Sequence, residues 1–295
     1  MKYPQITYGT PRKLPRAKDL PGRVVVLDIA FAADSSGSSF DKTTKPLIDG
    51  LGQRLRMWVD HHDHPLHAAY ASDPRFVLST KAQHGACPEM VTEELCNSVG
   101  EIDTICCHID FDGLCSAAKW IRKGVEPYEG ADDDARAIDT RIGVASERGA
   151  TLDRAIRARP RDDVLRGLIV RFLAGGAVDI GIYRDIRTAA DALKELEEES
   201  KRLARGYNLQ VDFALVDTTN ASKPYDKTYL LLLGQERAPI SVVYDATTIT
   251  AAAQFDSGID LLALLGVDGG MPTRVSVPRS RLEDVLERLM KYKAP

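Results

Sequence analysis

The chain has 295 residues, 44% of them apolar and 28% charged, and a net charge of −4. That balance is ordinary for a soluble globular protein and excludes a global basic field for nucleic acid, so a phosphate-bearing partner needs a local basic patch or bound cations. The length suits two domains, and no apolar run reaches roughly 18 residues, so the expectation is a cytoplasmic protein without membrane attachment.

The opening MKYPQITYGTPRKLPRAKDLPG is polar and punctuated by prolines, unlike a signal peptide. RVVVLDIAF (23–31) follows, a β-branched apolar run reaching Asp28. LRMWVDHH (55–62) is a shorter run that reaches Asp60, His61 and His62. QHGACPEMVTEELCNSVG reads as a loop and then a helix, with Pro88 in the helix's first turn and Glu93 and Glu94 on its exposed face. A third apolar run, IDTICCHIDFDG (102–113), reaches His108, Asp110 and Asp112, then Gly113. Continuous runs of this kind, separated by helical stretches, read as buried parallel strands. Ligands of open α/β sheets bind beyond the carboxyl ends of the strands, which is where every imidazole or carboxylate cluster falls.

On an extended segment, positions i, i+2 and i+4 share a face, so His108, Asp110 and Asp112 are expected to converge. One imidazole and two carboxylates suit Mn²⁺, Mg²⁺ or Fe²⁺. Gly113 is expected to let the chain turn into a helix beginning at LCSAAKWIRKG. In EGADDDARAIDTRIG, Asp132, Asp133 and Asp134 read as a solvated turn and helix cap, and Asp139 as a ligand candidate. With Asp28 and His61, the donors suffice for two adjacent divalent cations, a pair that sits about 3.5–4 Å apart and clamps phosphoryl oxygens. All six histidines lie between 61 and 108, and of these His64, His67 and His84 read as loop residues. The five cysteines (87, 96, 106, 107 and 115) are odd in number and lack C-x-x-C spacing, so they read as buried apolar residues.

Further along, DIRTAADALKELEEESKRLARGY has helical periodicity and dense mixed charge, and is taken as a solvated linker helix over 185–206. It divides the chain into a metal-binding catalytic domain, 1–184, and a C-terminal substrate-binding lobe, 207–295. In that lobe VDFALVD, TYLLLLG and PISVVYD read as strands, and SRLEDVLERLMKY as an amphipathic closing helix with Ser280 as its N-cap. Between them, the glycines of GVDGGMPTRVSVP (266, 269 and 270) form either an anion-binding loop or an ordinary turn.

Taken together, D-H-H at 60–62, H-x-D-x-D-G at 108–113 and VLDIAF around Asp28 resemble the motifs of the DHH phosphoesterase superfamily, with Asp139 similar to its fourth motif. The motif order is that of a circularly permuted domain, since H-x-D-x-D-G follows D-H-H instead of opening the domain. The resemblance implies an α/β fold, a parallel-sheet domain joined by a helix to a smaller α/β C-terminal lobe. It implies that His108, Asp110 and Asp28 hold one cation, and that Asp112, Asp28, His61 and Asp139 hold a second. His62 would face the scissile phosphate, with Asp60 orienting an imidazole. The C-terminal lobe is similar to the DHH-associated domain, whose G-G-H loop grips substrate. Here Gly269 and Gly270 are followed by Met271, so either Arg274 takes over phosphate binding, or substrate recognition differs, or the grip is lost.

The function so implied is a hydrolase of the phosphoesterase class with two divalent cations, Mn²⁺ first and Mg²⁺ second. Its partner would be a short single-stranded nucleic acid or a cyclic or linear dinucleotide, and a homodimer is compatible with the reading. The alternatives are an exopolyphosphatase, a phosphoadenosine phosphatase or a non-catalytic nucleotide sensor on the same fold.

Overall fold

The computed structural model describes residues 3–33, 38–268 and 271–293, which form two compact units, one ending at Asp191 and the other running from Ala192. In the first, the elements are β1 (Gln5–Tyr8), β2 (Val24–Leu27), α1 (Phe40–Leu51), β3 (Leu55–Asp60), α2 (His67–Tyr70), β4 (Phe76–Leu78), α3 (Glu93–Val99) and β5 (Thr104–Cys107). Five further helices follow: α4 (Phe111–Ile121), α5 (Ala131–Thr140), α6 (Glu147–Ala158), α7 (Asp163–Ala174) and α8 (Ile180–Asp191).

The strands form a parallel sheet in the order β1-β5-β2-β3-β4. Its central strands are apolar on both faces. Val25, Leu27, Ile105 and Cys107 pack on one side with Leu114, Ile169 and Leu173 of α4 and α7, while Val24, Val26, Trp58 and Cys106 pack on the other with Leu47 and Leu51 of α1. Burial on both faces explains why these strands read as continuous apolar runs instead of alternating ones. The chain steps from β2 outward to β3 and β4, then returns to the other side of β2 with β5. A reversal of this kind opens a crevice at the carboxyl ends of β2 and β5. The five cysteines are all free and buried.

The second unit comprises α9 (Leu193–Ala204), β6 (Asn208–Leu209), β7 (Phe213–Asp217), α10 (Lys227–Gln235), β8 (Ile240–Tyr244), β9 (Thr248–Ala253), α11 (Leu261–Leu265), β10 (Arg274–Pro278) and α12 (Leu282–Lys291). Its mixed sheet runs β10-β9-β8-β7-β6, with only β7 and β8 parallel.

Several local expectations change. TYLLLLG is helical, within α10: Asp226 caps it by accepting from Tyr229 N at 3.1 Å, and Leu230 and Leu231 are buried. A short leucine run carries no period that separates a buried helix from a buried strand. The stretch 185–206 is two helices, α8 ending at Asp191 and α9 starting at Leu193. Pro88 sits in a 3-10 turn, Cys87–Met90, ahead of α3, whose N-cap is Thr92. A 3-10 turn, Arg279–Arg281, leads into α12, so Ser280 is not its N-cap. No described helix is long and apolar enough to cross a membrane.

Candidate metal centre

Three neighbouring strands end on ligand-type side chains. β2 delivers Asp28, β3 ends at Asp60 with His61 and His62 just beyond, and β5 is followed by His108. Asp28 N donates to Val59 O at 2.9 Å, and His108 N donates to Leu27 O at 3.1 Å, so the ladder hydrogen bonds continue to the edge of the site. Asp28 itself adopts φ 59°, the left-handed region. Of the coded residues, aspartate is among the few that tolerate this conformation, and such strain is retained where the surroundings require it.

Asp28 lies between two groups of donors. Its Oδ1 is 3.2 Å from His61 Nε2 and 4.0 Å from His62 Nδ1, while its Oδ2 is 3.6 Å from His108 Nδ1. His61 Nε2 is also 3.2 Å from Asp112 Oδ2 and 3.8 Å from Asp139 Oδ2, the latter on α5. Thus Asp28, His108 and Asp110 form one candidate ligand group, and His61, Asp112 and Asp139 form another. Asp28 also groups with His61 and His62. Ligands bonded at about 2.1 Å in an octahedron stand about 3 Å from their neighbours, close to the shorter separations here.

His108, Asp110 and Asp112 do not converge by strand alternation. β5 ends at Cys107, and Asp110 becomes the N-cap of α4, accepting from Gly113 N at 3.1 Å. Asp112 lies in the first turn of α4 and turns to the other group, where Cys87 N donates to its two oxygens at 3.0 and 3.2 Å. Gly113 therefore lies inside the helix instead of preceding it. A Cβ there would come within 2.6 Å of His108 O, so this first turn can close against the strand end only with glycine.

The neighbouring groups orient the candidate ligands. His61 Nδ1 lies 2.8 Å from His84 O, a hydrogen bond that leaves Nε2 for the carboxylates. His84 thus contributes through its backbone, while its side chain is exposed near Glu89. His62 Nδ1 is 2.8 Å from Asp60 Oδ1, placing Asp60 behind the imidazole. His64 and His67 pack edge-on against Phe31, as part of an aromatic wall.

Burial opposes charge throughout the site, and the neighbours decide the outcome. It would lower the pKa of His61, but Asp112 and Asp28 outweigh it and push that pKa up to about 11. His108 is likewise raised well above the usual imidazole range, because Asp110 overcomes burial. Burial, reinforced by Asp28, raises the Asp112 carboxyl well above its ordinary value. Groups that hold protons tightly for lack of another cation are what a metal site presents before loading.

A fit to cations can be tested on buried atoms without partners. Both Asp28 oxygens and His61 Nε2 are buried yet make no hydrogen bond among the described residues, since their mutual approach lacks the required geometry. Buried polar atoms are ordinarily satisfied, so these fit metal ligation. Sequence reasoning missed Lys81, whose Nζ pairs with Asp139 Oδ2 in this site. It also read Asp132 and Asp134 as solvated. Instead, Asp132 pairs with Lys119, and Asp134 is buried, accepting from Tyr128 Oη at 2.7 Å.

In the second unit, Arg274 begins β10 and its Nη2 is 3.3 Å from Thr228 Oγ1. Gly269 and Gly270 lie outside the described residues.

Comparison with models of known families and with curated protein sequences gives no match. Solved structures similar to this chain include a pGpG-specific phosphodiesterase from Vibrio cholerae, at 11% identity over 92% of this chain and 98% of that one, with a TM-score of 0.44. Another is the exonuclease RecJ bound to manganese, at 10% identity over 92% of this chain and 76% of that one, with a TM-score of 0.49. A third is the DHH domain of a member of the s1p family of ribosomal proteins, at 13% identity over 91% and 69%, with a TM-score of 0.43.

Proposed function

We propose that the protein is a phosphoesterase of the DHH type, dependent on two divalent cations and acting on short oligonucleotides or on linear or cyclic dinucleotides. The observation that carries this reading is Asp28, a buried carboxylate in a left-handed conformation with one oxygen toward His61 and the other toward His108. A carboxylate so divided suits a bridge between two cations.

Bound there, the cations would generate a nucleophile from water and clamp the phosphoryl oxygens. Asp28, His108 and Asp110 would hold one, and His61, Asp112 and Asp139, with Asp28, the other. The mixture of carboxylates and imidazoles suits Mn²⁺, with Mg²⁺ the second choice. His62, with Nδ1 tied to Asp60, would donate from its other nitrogen to an equatorial phosphoryl oxygen. Asp60 fixes the ring orientation, and burial of that carboxylate is outweighed by its neighbour His62, so its pKa lies below the usual range.

The net charge of −4 favours a short substrate over a long duplex, which calls for an extended basic track. The reading is tested by turnover with added Mn²⁺ on a panel of linear dinucleotides, nanoRNA, cyclic dinucleotides, phosphoadenosine and polyphosphate. Hydrolysis of the dinucleotides or nanoRNA is expected. Absence of any product in the presence of Mn²⁺ would favour a nucleotide sensor instead.

A further inference from the structure

The site contains a fixed cation of its own. Lys81 lies between β4 and α3, is 4% exposed, and pairs through Nζ with Asp139 Oδ2. The same oxygen stands 3.8 Å from His61 Nε2, so the ammonium rests on a member of the His61–Asp112–Asp139 group. The other group differs: no lysine or arginine among the described residues pairs with Asp28 or Asp110, whose ionic neighbours are imidazoles. The ammonium is thus held in a buried ion pair with a carboxylate of the His61–Asp112–Asp139 group.

We infer that the two cation positions are unequal, Asp28–His108–Asp110 forming the tight one and His61–Asp112–Asp139 a weak one held open by Lys81. This rests on the cation-binding reading above. A divalent ion entering the second group meets a like charge in direct contact with one of its ligands, in a buried setting where charges interact strongly. Asp112 adds to the inequality, because both its oxygens accept from Cys87 N. Lys81 therefore makes loading of the second position dependent on free metal concentration or on substrate phosphate, whose negative charge can draw the ammonium away from Asp139.

The test is Mn²⁺ binding to the full chain, followed by calorimetry and by the paramagnetic resonance signal of free Mn²⁺. Wild type should bind one ion tightly and a second about 10–100-fold more weakly, the range over which groups behind the ligands alter metal affinity. Lys81→Met should tighten the weak site until the two ions bind together and become magnetically coupled, and Lys81→Gln should do so in part. His108→Ala should abolish the tight class. Two equal tight sites in wild type would overturn the inference while leaving the phosphoesterase reading intact. Weaker second-site binding in Lys81→Met and Lys81→Gln would also overturn it, as expected of a lysine that merely orients Asp139. If the Met variant does not fold, the wild-type isotherm and the Gln variant decide. No Mn²⁺ bound by wild type would remove the cation reading itself.

Discussion

Asp28 and Asp134 are both buried carboxylates in the first unit, 1% and 4% exposed, yet they are housed in opposite ways. Asp134 accepts from Tyr128 Oη at 2.7 Å and from Ser146 N and Oγ, each at 2.6 Å. A Cβ on Gly149 would collide with that carboxylate at 2.5 Å, so glycine leaves room for it. Asp28 has no hydrogen-bond partner on either oxygen among the described residues and adopts a strained backbone. A buried carboxylate whose acceptors are filled by the protein ties segments together. One facing only other ligands is held for something that arrives later, at the expense of stability.

The sharpest way to break this contrast is Asp28→Asn. Asparagine tolerates the left-handed conformation and keeps the size of the side chain, so the variant should fold while losing nearly all Mn²⁺-supported turnover. Near-wild-type turnover would show that Asp28 is not a ligand. Next in size is the pair at 61 and 62. His62→Ala should lower kcat on the order of 10²–10³, with metal affinity retained, while His61→Ala should lower affinity and activity together. Equal loss of metal affinity in both variants would end this division of labour.

Asp134→Ala should show the reverse profile. Denaturant titration should report a loss of about 1–3 kcal/mol for each buried donor left stranded, with turnover per folded molecule preserved. A stability change within error would place Asp134 with the functional carboxylates instead. The smallest effect concerns protons. With its folded pKa pushed up to about 11, His61 in the metal-free protein carries a proton at neutral pH. That contribution to apo stability is complete below the unfolded value of about 6.5 and is lost as pH rises through about 11. Mn²⁺ binding near neutral pH should therefore release protons, seen as a dependence of calorimetric heats on buffer ionisation enthalpy. Heats independent of buffer would mean that His61 is neutral before the metal binds.

Much of the candidate site could be read from the chain because its members, except Asp139 on α5, lie at or just beyond strand ends. The apolar runs before Asp28, Asp60 and His108 mark buried parallel strands, and the polar residues after them are the first that the chain can afford to place at the sheet's edge. Lys81, His84 O and Cys87 N leave no such mark. They lie between β4 and α3, and their roles come from meeting Asp139 of α5, His61 beyond β3 and Asp112 of α4.

The sequence by itself determined the three central parallel strands β2, β3 and β5, the buried cysteines and the pool of imidazoles and carboxylates, since periodicity and residue chemistry are local properties. Only the tertiary structure decided how that pool divides. Whether Asp112 belongs with His108 or with His61 depends on the turn from β5 into α4, which no strand period encodes. Whether a buried aspartate is tied like Asp134 or left facing ligands like Asp28 depends on which donors lie opposite it. For Asp134 the partners were six and twelve residues away, brought together by α5 and the start of α6. For Asp28 they came from two neighbouring strands, His61 beyond β3 and His108 beyond β5, because hydrogen bonding places those strand ends side by side in the sheet.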